Sequence, residues 1–302
     1  MAAVTRRLRL HAYVLVADPS YLRESLEAYY PHVDRIVLSY DRTSTSWTGT
    51  PLPVEQCLRI VERIDVDGKC VHAPGDFARL DHEPLDNDTF QRQTALDVAS
   101  EGADWVIQLD TDEVMVDPAL FVEMLHRADA AGAVGLDYPA RWLYTRTAPG
   151  RYLEVTDRLW RRAASYPGPL AVRAGTRLRH ARQVDGELFR VDLAAQNTDP
   201  WHPADARVDA VIAPESAVLH FSWVRDPEVI RRKFGWSGHT AFMRPPMVLR
   251  RWLWRTRHPM LTVLTTPLRR KEDGCYRLSR IPEPPGGEPI TVRFDDSERT
   301  GP

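Results

Sequence analysis

The feature that most constrains this chain is the alternation of its first 138 residues between short apolar runs and longer amphipathic stretches. Residues 11–16, 35–40, 70–72 and 105–109 read as strands, and 133–138 as a further one. Between them, Asp18-Pro19 offers an N-cap and a proline for a helix carrying Leu22, Leu26 and Tyr29 or Tyr30 on one face. Segments 54–64 and 86–100 read as helices, and Asp117-Pro118 opens another through Leu125. Repeated strand–helix units predict an α/β fold, a Rossmann-type, mostly parallel sheet flanked by helices. Ligands of such sheets collect at the carboxyl ends of the strands. Asp41, Asp76 and Asp110 all stand where predicted strands stop.

From 138 to 209 the alternation gives way to Arg, Pro and Gly with short β-like pieces such as 159–161, predicting a mixed region. A strand returns at 217–221, followed by a helix capped by Asp226-Pro227 and running to about 234. Beyond 240 a basic, Pro-rich extension contains the amphipathic stretch 248–257, which suits either a helix packed on the main domain or an interfacial helix. The chain then loosens at 282–287, and the last dozen residues are expected to fray.

With 302 residues and 43% hydrophobic content the chain can bury a large core. A net charge of -2 argues against a protein that coats nucleic acid. Cys57, Cys70 and Cys275 form no C-x-x-C pair, so neither a disulfide framework nor a zinc knuckle is expected, and a reducing, cytoplasmic setting fits. The N-terminal apolar run 8–17 is interrupted by Arg9 and His11 and reads as a first strand, not a leader. No run approaches the roughly 18 apolar residues of a membrane span. Only Lys69, Lys233 and Lys271 are lysines, so a lysine beside chemistry stands out.

Residues 104–113, DWVIQLDTDE, carry the sharpest chemical signal. An apolar strand delivers Asp110 and Asp112 at spacing two, so both can approach one site at its exit. Mg2+ or Mn2+ takes such oxygen ligands together with phosphate oxygens. A solvated acidic turn has the same sequence, and spacing alone does not separate the two.

The Asp-Trp pair, apolar strand and Asp-x-Asp-Glu resemble the glycosyltransferase family 2-like proteins of the GT-A fold. Three other segments line up with that resemblance. Residues 22–26 with 35–38 and Asp41 before a Ser/Thr-rich turn match the family's opening. Residues 91–96, QRQTAL, match a helix facing the donor, and 220–223, HFSW, with Lys233 and His239 match the closing element. The resemblance covers about residues 8–240. It implies a GT-A-like domain over 1–240, with a nucleotide-sugar-binding half (1–116) and an acceptor-side half (117–240), and 241–302 as a helical C-terminal extension.

It further implies metal-dependent transfer of a sugar from a nucleoside diphosphate sugar to an acceptor that is a glycan, lipid-linked or a small molecule. Asp41 and Asp76 would bind the donor base, Arg92 the diphosphate or the metal-site carboxylates, Lys233 a phosphate, and Asp110, Asp112 and His220 the Mn2+ or Mg2+, with Asp110 also binding the donor. Glu113 is expected to pair with a basic neighbour. The family's Glu-Asp base pair has no counterpart here, which leaves Asp137, Glu154 and Asp157 as unranked catalytic-base candidates and the stereochemistry open. Trp142, Trp160 and Trp223 are either core or sugar platforms. Two other readings compete. One is a haloacid-dehalogenase-like phosphatase with Asp110 as nucleophile and Asp295-Asp296 as closing pair. The other is a catalytically inactive nucleotide-sugar-binding protein.

Overall fold

The computed structural model describes residues 7–236, 245–270 and 273–281. The first half folds around β1 (Leu10–Leu15), β2 (Arg35–Asp41), β3 (Cys70–Gly75) and β4 (Trp105–Ile107), which pair in parallel in the order β4-β1-β2-β3. They are connected by α1 (Leu22–Tyr29), α2 (Val54–Ile64) and α3 (Pro84–Ser100). β1 is buried on both faces: Ala12 and Val14 join the larger core with Ile36, Leu38 and Trp105, while Tyr13 packs with Val37, Leu96 and Val106 on the other side. That double burial is why these strands read as continuous apolar runs.

After the acidic turn come β5 (Glu113–Val114), α4 (Pro118–Ala130), β6 (Gly135–Asp137), β7 (Ala140–Ala148), β8 (Arg151–Thr156) and β9 (Ala171–Arg173). They are followed by β10 (Leu178–His180), β11 (Gln183–Val184), β12 (Leu188–Asp192), β13 (Ala210–Val211) and β14 (Val218–His220). The main sheet has eight strands in the order β13-β12-β6-β9-β4-β1-β2-β3. Only β9 runs antiparallel to its neighbours β4 and β6, so the mostly parallel expectation holds. α5 (Pro227–Trp236), α6 (Pro245–Arg257), α7 (Pro259–Leu264) and β15 (Cys275–Arg280) complete the described chain. β15 pairs with β8 over six residues in a second sheet, β15-β8-β7-β14-β5, so the segment beyond 240 contributes a strand to the sheet built from residues 113–220.

Several local expectations are corrected. Asp18-Pro19 does not cap α1, whose N-cap is Tyr21 at φ 61°; the Asp18 carboxylate accepts from Ser20 N and from Arg225. β4 ends at Ile107, although Gln108 N still donates to Leu170 O at 2.9 Å; the buried Gln108 side chain accepts from Tyr13 Oη and donates to Pro169 O and Arg182 O. α3 starts at Pro84, two residues earlier than expected. The loosely patterned region 138–209 holds six strands, of which β9, β10 and β11 are too short to show a period. Residues 159–161 form a turn after β8, with Trp160 at φ 58°. All three cysteines are free. No described helix is long and apolar enough to cross a membrane. His239, the 282–287 segment, the terminal dozen residues and Asp295-Asp296 lie outside the described residues.

Candidate functional site

A cavity of about 460 Å3 opens at the carboxyl ends of β1, β2 and β4. Asp41, Arg92, Asp110, Asp112, His220 and Lys233 all line it. Asp76 does not: it is exposed beside Arg42, at 3.3 Å. Parallel strands bring Asp41 and Asp110 to one end, and β14 delivers His220 by pairing antiparallel to β5, with His220 opposite Glu113.

Asp41 is buried, and its oxygens accept four hydrogen bonds from within the protein. Thr43 N and Thr43 Oγ1 donate at 2.9 and 2.6 Å, and Phe77 N and Ala78 N at 2.8 and 2.9 Å. Burial works to raise its pKa, but these donors bring it below the ordinary carboxylate value. A carboxylate has about four acceptor positions, so Asp41 is taken up in joining the loop after β2 to the loop after β3. Gly75 permits that approach, since a Cβ there would sit 2.3 Å from the Phe77 ring. Tyr40, Trp47 and Leu52 also line the cavity. Trp47 is fixed by its indole N–H donating to Gln91 Oε1 at 2.7 Å.

α3 explains how a helix can serve core and site together. Asn87, Asp88, Gln91 and Arg92 are buried in its first half, and Ala95, Leu96 and Ala99 in its second. The same face is polar over the cavity and apolar over the core. Arg92 donates from Nε to Asp88 at 2.6 Å and from NH2 to Asp110 at 2.8 Å, while its buried NH1 has no hydrogen-bond partner among the described residues.

The acidic turn is embedded in cations. Glu113, fully buried, is gripped by both terminal nitrogens of Arg182, the basic neighbour its position called for. Arg182 also donates to Gln108 O at 2.9 Å and reaches within 4.0 Å of Asp110. Asp112 Oδ2 accepts from Lys233 Nζ and Arg225 NH2, each at 3.1 Å. Lys233 is held by Ser222 through its carbonyl and hydroxyl, and Arg225 by Asp18 and Phe221 O. For Asp110, burial is outweighed by Arg92 and Arg182, and its pKa is lowered. For Asp112, burial is outweighed by Lys233, His220 and Arg225, which hold it far below the usual range. Both aspartates are anionic at neutral pH. Arg182 and Arg225 carry no motif and were not singled out from the sequence; only the fold brings them here.

The residues proposed for a metal can be tested on this geometry. Asp112 Oδ1 accepts no hydrogen bond from the described residues and lies 3.6 Å from His220 Nε2. Two donors at that separation can share an ion at about 2.0–2.2 Å from each. His220 stacks on Trp142 with ring centroids 5.9 Å apart, and its buried Nδ1 has no hydrogen-bond partner among the described residues. Among the described residues no three His, Cys, Asp or Glu side chains are grouped so as to hold a metal ion, so Asp110 does not complete a ligand set with Asp112 and His220. The Asp112–His220 pair by itself would leave most of an ion's ligands to water and substrate oxygens.

Of the base candidates, Glu154 is fully buried and paired bidentately with Arg141, and Asp137 is buried near Arg190. Neither lines any of the three main cavities. Besides a cavity of about 630 Å3, Asp157 lines a second cavity of about 360 Å3, although Leu159 N, Arg161 N and Arg161 Nε already donate to its carboxylate. Trp142 and Trp223 belong to the walls of both this cavity and the first, whereas Trp160 lines neither.

No family model and no curated protein matches the chain. Among solved structures it is similar to the 4-diphosphocytidyl-2C-methyl-D-erythritol synthase of Anaerococcus prevotii, with 11% identity over 55% of this chain and 72% of that one, TM-score 0.33. A mannose-1-phosphate geranyltransferase from Thermus thermophilus is similar over 56% of this chain and 51% of its own, at 16% identity and TM-score 0.27. Both likenesses span little more than half of this chain, and the function proposed below is drawn from the site's own residues.

Proposed function

We propose that this protein is a glycosyltransferase that takes its sugar from a nucleoside diphosphate donor, with Mn2+ or Mg2+ at Asp112 and His220 beside Asp110. The reading is carried by the convergence of Arg92, Asp110, Asp112, His220 and Lys233 on one cavity whose other part is the Tyr40–Trp47–Leu52 slot. An aromatic slot suits a base, and a carboxylate–cation array suits a diphosphate with its ion. When bound, the ion would offset negative charge growing on the departing nucleoside diphosphate. Lys233 and Arg225 keep Asp112 ionised, so it is ready as an anionic ligand without losing a proton first. Arg92, tied to Asp88 and Asp110, leaves NH1 for a phosphate oxygen. Asp157 is retained as the base candidate because the second cavity, which meets the first at Trp142 and Trp223, suits an acceptor.

The phosphatase alternative has less support. A group that protonates a leaving alcohol must hold its proton near neutral pH, and the cations around Asp112 oppose that. The inactive binding protein shares the cavity and differs only in turnover.

The test is a thermal-shift panel of UDP, GDP, TDP and CDP with and without Mn2+, followed by release of nucleotide from the matching sugar donor. The expected result is stabilisation by one nucleotide that requires metal and disappears in Asp112→Ala. Stabilisation by Mg2+ with beryllofluoride alone would favour the phosphatase. Binding without turnover across candidate acceptors would favour the inactive protein.

A further inference from the structure

Between Glu228 and Glu272 the chain carries eleven Lys and Arg and no Asp or Glu, in a protein whose overall charge is -2. Charge is therefore strongly segregated onto one stretch. Within it, α6 and α7 are joined through His258 alone, whose N donates to Trp254 O and whose ring lies 5.3 Å from that of Trp254. The inner side of this unit is settled by contacts. Trp252 is fully buried with its indole N–H on Tyr144 O, Arg255 is buried against Tyr276 Oη, and Thr266 is hydrogen-bonded to Tyr276.

The outer side is apolar as well as basic. Met247, Trp254, Met260, Leu261, Leu264 and Leu268 are between 44% and 85% exposed. Arg250, Arg257 and Arg270 are exposed among them, as is Arg251, which lies 4.0 Å from Asp273. The turn after β8 adds Leu159 and Trp160, because Trp160 Nε1 donates to Val263 O and Arg158 to Pro267 O. Eight of the fifteen large apolar side chains exposed among the described residues thus belong to this one face. Single exposed apolar residues need no explanation, but a concentrated patch does.

We propose that α6, α7 and the 158–161 turn form a docking face for a bilayer containing anionic phospholipid. Charge complementarity selects this occupant: basic side chains attract the anionic headgroup layer, and interleaved Leu, Met and Trp side chains enter the boundary between headgroups and acyl chains. A second copy of the same face would bring like charges together. Nucleic acid would meet the arginines but leave Leu261, Leu264 and Leu268 without a partner. Val248 and Arg251 of α6 also line the second cavity, so docking sets that cavity beside the bilayer.

The test is co-sedimentation of the full chain with vesicles of phosphatidylcholine alone or with about one third phosphatidylglycerol, at low and high salt. Binding is expected to the anionic vesicles and to fall with salt. Arg250→Ala with Arg270→Ala should weaken it by roughly 25-fold, about fivefold per charge. Leu261→Ser with Leu264→Ser should weaken it at least about tenfold. Val66→Ser, an exposed apolar residue elsewhere, should leave it unchanged. Matched thermal melts confirm that the variants are folded. Equal binding by both double variants, equal loss in Val66→Ser, sedimentation without vesicles, or preference for an oligonucleotide over anionic vesicles would each overturn the proposal.

Discussion

Asp112→Asn isolates the carboxylate on which the candidate site turns. The substitution preserves shape but removes the charge that Lys233 and Arg225 contact at 3.1 Å each. Hydrogen bonds to charged groups contribute about 1.5–3 kcal/mol apiece, and a neutral amide oxygen retains roughly half of that. Stranding a buried charge altogether would cost about 3–5 kcal/mol. Here the stranding is partial, because Arg225 keeps Asp18 and Lys233 keeps Ser222 and some solvent. The expected loss is about 2–3 kcal/mol, or about 4–6 °C in Tm for a chain of this size. The pH dependence gives the sharper check. A carboxylate whose pKa is depressed on folding contributes stability that is present above its unfolded pKa, about 3.9, and is lost as pH falls below it. Denaturant melts of both proteins should therefore differ by a constant amount from pH 8 to pH 6, with the gap closing below about pH 4. A difference under about 0.5 kcal/mol at pH 7, or a gap that persists unchanged into acid, would refute the proposed electrostatic anchoring.

Other residues give separable outcomes. Arg182→Met leaves the fully buried Glu113 without its cation and should cost about 3–5 kcal/mol in thermal melts, whereas Asp76→Ala, exposed, should change stability by less than about 0.5 kcal/mol and leave nucleotide binding intact. Trp47→Ala should weaken nucleotide binding roughly tenfold by titration while sparing metal dependence. Asp137 has its pKa pushed up to about 6 by burial, with Arg190 and His202 opposing. A raised acid favours folding below its unfolded pKa and loses that contribution as pH rises through about 6. Asp137→Asn should therefore gain on the wild type by about 2 kcal/mol between pH 4.5 and pH 8, read from denaturant melts.

Much of the first half of the chain was legible from the sequence because local rules and burial agree there. β1, β2 and β4 are buried in the larger core, and residues buried on both faces of a sheet must be apolar whatever their partners. α2 shows its buried side as Val54, Cys57, Val61 and Ile64 at helical spacing. The carboxyl-end rule located Asp41 and Asp110 correctly in space but misplaced Asp76, because nothing local says whether a residue past a strand end turns inward or out. The stretch from 138 to 209 resisted for a different reason. β9, β10 and β11 have two or three residues each, and their pairing depends on distant partners.

Sequence by itself determined the strand–helix order, the acidic turn at a strand exit and the charge asymmetry of the 229–271 stretch, since these follow from residue type and spacing. Only the tertiary structure decided what each charge meets. Arg182 and Glu113 stand 69 positions apart, Arg225 and Asp112 113, and Lys233 and Asp112 121, yet each pair is in hydrogen-bond contact. It also filled the Asp41 carboxylate with donors from two loops and buried Glu154 against Arg141. Electrostatic contact depends on distance in space and on exclusion of water, and neither quantity exists until the sheets have closed around the site.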